Sequence, residues 1–207
     1  MQEGQRVKVA CDELRAVIQW IDAHSSTVNY PPTLGPMIAG GCLDMAIEHQ
    51  ASVAVLAEQQ LYGSAHTLLR SAIEAYVRGV WFWRCASEKE IRHFQTTDGV
   101  EKGFGTLVEE VERKLGNGAT ALSRMKTLHW KALCSFTHTG YQQVARRYAD
   151  GMLKPNYLED DVVKALSFAS AAGLLAAAEL AALSNDRDAE LGVLERMKQY
   201  VATRPTR

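Results

Sequence analysis

Apolar residues recur every three or four positions along most of this chain, in runs long enough for helices of several turns. Val7, Cys11, Leu14, Ile18 and Ile21 share one helical face and predict a first helix over residues 6–24. The stretch SSTVNYPPTLGP reads as a loop, and a second helix runs from about Met37 to Leu61, weakened at its start by Gly40-Gly41. Tyr62-Gly63-Ser64 reads as a turn, with Ser64 the N-cap of a third helix ending near Cys85. Ser87-Glu88-Lys89-Glu90 has the form of a capping box and opens a short helix. Further helices follow over about 104–115 and 121–139, with a short one near Tyr141–Tyr148 and DGMLKPNY as a loop after it. Asp160 or Asp161 caps an alanine-rich helix, and NDRD turns into a last helix over 187–202.

No run alternates with the two-residue period of a strand. The pattern therefore predicts an all-α protein, a single-domain multi-helix bundle of roughly seven to eight helices with no sheet. Residues 1–36 form an N-terminal helix and loop packing on the bundle, 37–203 the bundle itself, and 204–207 a tail. The segment ALSFASAAGLLAAAELAAL, residues 165–183, is rich in small side chains, so neighbouring backbones can come close and the helix belongs at the bundle centre.

Composition narrows the picture only modestly. With 207 residues the chain can bury a large core, and a formal net charge of -1 means that any anion site must be a local patch. Cys11, Cys42, Cys85 and Cys134 form no C-x-x-C pair, which predicts reduced thiols and a cytoplasmic protein. The N-terminal MQEGQRVKVACDEL lacks the apolar stretch of a secretory leader. Glu179 interrupts the most apolar segment, so no membrane partner is expected. There is no H-E-x-x-H motif, and Glu48-His49 alone is a weak signal. Neither a metal nor a cofactor is expected.

Candidate chemistry gathers on two helices. His66, Arg70, Glu74 and Arg78 succeed one another at four-residue steps and drift slowly round one side of the third helix. As a solvated stripe they would form intrahelical ion pairs. Trp81 falls in the same arc, which favours a covered network or a pocket, because covered charges need partners. On the helix over 121–139, Ala121, Leu122, Met125, Leu128, Ala132, Leu133 and Phe136 make an apolar arc, and His129 falls inside it. Arg124, Lys131 and His138 line up on the other side, seven residues apart, with Cys134 and Ser135 beside them. Two cations and a histidine in line fit a phosphate-recognition surface, and equally a solvated or partner-facing one. Gly140 is placed to end the helix at its C′ position, leaving His138 in the last turn.

Three segments carry a family resemblance: GSAHTLLRSAIEAYVRGVWFWRCAS, LSRMKTLHWKALCSFTHTGYQQVARR and PNYLEDDVVKALSFASAAGLLAAAELAAL. Together they resemble an uncharacterised bacterial helical family carried as a domain of unknown function, from about residue 40 onward. More loosely, a basic residue followed by a histidine on one helix looks like HEPN domains (higher eukaryotes and prokaryotes nucleotide-binding). The HEPN resemblance implies a metal-independent ribonuclease of bacterial defence systems, built as a dimer around an arginine, four to six residues and a histidine. Arg124-MKTL-His129 has the residue types, at positions about 140° apart. Lys131-ALCSFT-His138 has the better facing, with lysine where the pattern has arginine.

Two functional classes follow, and a third stays open. The first is a non-catalytic helical interaction or regulatory module, a homodimer or one with a protein partner, in which Trp81 covers the Arg70–Glu74 pair. The alternative is a HEPN-like ribonuclease acting on RNA, with His138 moving the proton, Lys131 and Arg124 facing the phosphate, and Arg146 and Arg147 adding contacts. The third is a small-anion pocket between His66, Arg70 and His138, which requires two helices to bring these residues together.

Overall fold

The computed structural model describes residues 4–25, 30–116 and 118–203. Residues 26–29 of the expected loop and the tail 204–207 lie outside the described residues. In chain order the elements are α1 (Gln5–Ser25), α2 (Leu34–Glu58), α3 (Tyr62–Arg84), α4 (Glu88–Thr97), α5 (Phe104–Leu115), α6 (Ala121–Thr137), α7 (Tyr141–Ala145), β1 (Tyr148–Ala149), β2 (Met152–Leu153), α8 (Glu159–Ser184) and α9 (Arg187–Ala202). The protein is all-α in class, with nine helices among the described residues.

Among the described residues, the strands are confined to a minimal hairpin where a loop was expected. β1 and β2 pair antiparallel, Tyr148 with Leu153 and Ala149 with Met152. Asp150 and Gly151 both take positive φ, 53° and 77°, as the tight turn of a two-residue hairpin requires. The Asp-Gly pair was its sequence signal.

α8 is the central helix. Its buried residues run from Val162 to Leu183 on several faces, and it packs against α1, α2, α3 and α9. Length and composition alone would let α8 cross a membrane, yet most of its apolar surface is taken up inside the bundle. Glu159, Asp160 and Asp161 occupy its first turn, where negative charge meets the positive end of the helix dipole. The N-cap is Leu158, so neither Asp160 nor Asp161 caps it as expected. α2 and α3 pair as a tight antiparallel hairpin. Gly79 makes this possible, because a Cβ there would lie 2.6 Å from Leu43 Cγ.

Helix ends moved in several places for local reasons. α2 starts at Leu34, three residues before Met37, because Pro36 falls in the first turn, where its missing N–H has no intrahelical partner to lose. α3 starts at Tyr62 with Leu61 as N-cap, so Ser64 lies inside the helix. The expected capping box is present, with Ser87 and Glu90 bonded reciprocally. Beyond it, the Lys102 ammonium sits 2.8 Å from both Glu90 and Glu110, and Trp81 Nε1 donates to Glu110 at 2.6 Å. These contacts tie α3, α4 and α5 together.

Candidate functional site

α6 is an outer helix, packed on α3, α5 and α7. Leu122, Leu133 and Phe136 enter the core, with Met125 and Trp130 partly buried behind them. Two expectations fail on this helix. Leu128 is 68% exposed and His129 is exposed as well, because the covered arc is centred nearer Trp130 and no neighbouring helix reaches over the other edge. Arg124, Lys131 and His138 do lie on the solvent side. At 1.5 Å rise per residue they spread over about 20 Å, too far apart to converge on one phosphate group.

The end of α6 is clamped to α3 by two threonines. Thr67 Oγ1 donates to the Phe136 carbonyl at 3.1 Å, and Thr137 Oγ1 donates to the Thr67 carbonyl at 3.4 Å. The chain then leaves the helix through a Schellman-type turn, in which Gly140 N donates to Ser135 O at 2.7 Å. His138 is the C-cap, and Thr139 holds the left-handed conformation at φ 53°. Gly140 is therefore the residue after C′, not C′ itself. It must be small, since a Cβ would lie 2.5 Å from Ser135 Oγ. Ser135 Oγ accepts from Gln142 N at 3.1 Å, so this residue caps α7 instead of facing a ligand.

That turn delivers His138 to Arg70. An Arg70 N–H donates to His138 Nε2, and the other arm of the guanidinium donates to Glu74 Oε1 at 3.1 Å. Because arginine offers no acceptor, Nε2 must supply the lone pair and the ring proton sits on Nδ1. Arg70 Cζ lies 5.0 Å from the centroid of Trp130, whose ring stacks on Phe104 at 4.0 Å and 6°. The aromatic cover over the Arg70–Glu74 pair is thus Trp130, and the expectation that Trp81 supplies it is overturned. Trp81 is 1% exposed and sits at the Glu110–Lys102 clasp, beside a cleft of about 330 Å³ lined by His93 and Lys89.

The α3 stripe does not act as one surface, since a four-residue step turns about 40° further round the helix each time. His66, at its start, is 5% exposed, between Phe136 and Tyr157, with Nδ1 donating to the Tyr62 carbonyl at 2.7 Å. Burial lowers its pKa below the usual histidine value, and the nearby Arg146 pushes the same way. Its ring is a neutral core group, separate from the Arg70–His138 contact. At the other end of the stripe Arg78 is exposed. Arg146 is committed to Asp161 at 2.8 Å and to the Gln142 carbonyl at 3.0 Å. Arg147 is exposed and borders an open groove of about 340 Å³ with Thr139, Gln143 and Val144.

The pairing of Arg70 with Glu74 and the meeting of Arg70 with His138 that the anion-pocket alternative required are both present, whereas His66 and Trp81 lie elsewhere. Sequence reasoning missed Thr67, Thr137 and Trp130, for which periodicity carries no signal. A family model matches residues 43–206, that of DUF6988, a family of unknown function. The chain belongs to DUF6988. No curated protein and no solved structure matches it. The span matched to DUF6988 contains every member of the cluster, namely Arg70, Glu74, Trp130 and His138, and leaves out α1. Among the described residues no three histidine, cysteine, aspartate or glutamate side chains converge as metal ligands would.

Proposed function

We propose that the Arg70–Glu74–His138 cluster is a phosphodiester site and that the protein is a HEPN-like, metal-independent ribonuclease. The observation that carries this reading is the Arg70 N–H aimed at His138 Nε2, with Glu74 and Trp130 holding the guanidinium in place. A phosphate oxygen entering between them draws the Arg70 N–H onto itself and frees Nε2. Nε2 then takes the proton of the adjacent ribose 2′-hydroxyl. The 2′-oxygen bonds to phosphorus, the P–O5′ bond breaks, the leaving 5′-oxygen takes a proton from water, and the hydroxide so formed takes the proton from Nε2. The products are a 2′,3′-cyclic phosphate and a 5′-hydroxyl. Arg70 stabilises the charge that builds on phosphorus-bound oxygen. Glu74 and Trp130 are positioning residues. Arg124 and Lys131 drop out of the reacting centre. On this reading the protein works in the cytoplasm as a homodimer in a bacterial defence setting, as the HEPN resemblance implies.

The test is cleavage of labelled RNA in the presence of a chelator. Wild type is expected to cut. His138→Ala should lose about 100-fold or more in rate, and Arg70→Lys a similar factor, because lysine cannot bridge His138 and Glu74 as the fork does. Intact RNA with wild type, or His138→Ala as active as wild type, overturns the reading.

A second reading, the non-catalytic interaction module, is favoured by a different observation. Met152, Leu153 and Leu158 are 57%, 85% and 66% exposed around the β1–β2 hairpin, an apolar edge suited to a second copy or a protein partner. It takes precedence if wild type leaves RNA intact and Leu153→Glu converts a dimer to a monomer in solution mass measurements.

A further inference from the structure

The charge of the chain is unevenly placed. From Ala119 to Ala149 the sequence holds Arg124, Lys126, Lys131, Arg146 and Arg147, two histidines, and not one aspartate or glutamate, within a protein of net charge -1. This segment is α6, α7 and the turn between them, the outer layer of the bundle next to the Arg70–His138 contact. Arg124, Lys131 and Arg147 are exposed, and no carboxylate pairs with them among the described residues. Lys126 is half-buried against Gly105, and Arg146 is spent on Asp161. The acids that come near this layer are engaged, Glu112 with Ser123 and Glu74 with Arg70, so three free cations on a segment with no acid of its own give it a local positive charge.

The geometry of the strip says what kind of anion it fits. Along α6 the cations fall about 10 Å apart, so a single small anion can touch only one. A chain of regularly spaced charges can touch all of them. At the far end, three residues beyond His138, Tyr141 is 85% exposed, its ring presented to solvent at the first position of α7. An exposed aromatic beside a phosphate-binding group is a stacking platform for a base, and only an unpaired base can reach it.

We propose that the α6–α7 face is the binding track for a single-stranded segment of RNA, with Arg124 and Lys131 on separate phosphates upstream of the Arg70–His138 contact and Tyr141 stacking a base just past it. The proposal rests on the reading of Arg70–His138 as a phosphodiester site, and it adds the residues that bind and orient the strand. Lys131 and Arg124, unsuited to the reacting centre, are phosphate-positioning residues.

The experiment measures binding of a fluorescent 12-nucleotide single-stranded RNA to the full chain at several salt concentrations. A duplex of the same sequence and inorganic polyphosphate serve as competitors. Tyr141→Ala is expected to weaken single-strand binding about tenfold and to leave polyphosphate binding unchanged. Arg124→Ala and Lys131→Ala should each weaken both, and each should flatten the dependence of log K on log salt by about 0.7. Tighter binding of duplex than of single strand, or a Tyr141→Ala variant that binds single strand like wild type, overturns the track. An acidic-protein partner for the same face would give the second result. Failure of the track and failure of the ribonuclease reading separate cleanly. Single-strand binding that depends on Tyr141 without cleavage keeps the track and removes the activity. Cleavage that depends on Arg70 but not on Tyr141, Arg124 or Lys131 does the reverse.

Discussion

Thr139 holds φ 53°, a conformation that costs a β-branched residue on the order of 1 kcal/mol, directly beside His138. The hydrogen bond from Gly140 N to Ser135 O and the Thr67–Thr137 clamp keep the turn in place. Thr139→Gly relieves that cost and is expected to raise stability by about 1 kcal/mol, read as a higher denaturation midpoint. An unchanged or lower midpoint would show that the turn carries no such strain. His66 gives a pH-dependent counterpart. Its folded pKa lies below the ordinary 6.5, so below that pH the unfolded chain binds a proton that the folded chain does not, and stability falls as acid is added. The melting temperature should drop between pH 7.5 and pH 5.5 in wild type and drop less in His66→Gln. Equal drops would place the loss elsewhere. The residue types at both positions were legible in the sequence. The φ of Thr139 and the burial of His66 were not, since each depends on which neighbours close over the residue.

At the scale of elements, α6 shows where periodicity stops. Its spacing of apolar residues located the covered arc to within a few tens of degrees, and it correctly left Arg124, Lys131 and His138 outside. It also counted Leu128 and His129 as core, although both face solvent. A helical wheel records which residues share a side. It does not record how far the helices beside it extend, and α6 packs chiefly on α3, α5 and α7. The same limit applied to α3, where four residues at equal steps ended in three environments. His66 is buried, Arg70 and Glu74 are half-buried, and Arg78 is exposed. Arg70 became the partner of His138 because the Thr67–Thr137 clamp joins the two helices one turn away. Nothing in either helix alone announces that contact.

Across the whole molecule the tightest constraint is at the α2–α8 crossing. Gln50 is fully buried with neither its Oε1 nor its Nε2 hydrogen-bonded, and it lies where a Cβ on Gly173 would stand. Gly173→Ala therefore overpacks the centre and should cost about 2 kcal/mol. Combining it with Gln50→Ala is expected to recover much of that loss, because the clashing amide is gone. A double-mutant cycle that shows no coupling would remove this account. The small-residue composition of residues 165–183 announced a central helix with closely approaching neighbours, and α8 is that helix. The sequence by itself determined the helices, their approximate ends, the central place of α8 and the membership of the candidate chemistry, because local periodicity and capping depend on residues a few positions apart. Only the tertiary structure decided that Trp130 and His138 join the Arg70–Glu74 pair and that Trp81, His66 and Arg146 belong elsewhere. These contacts join residues 60 and 68 positions apart in the chain, and packing alone selects them.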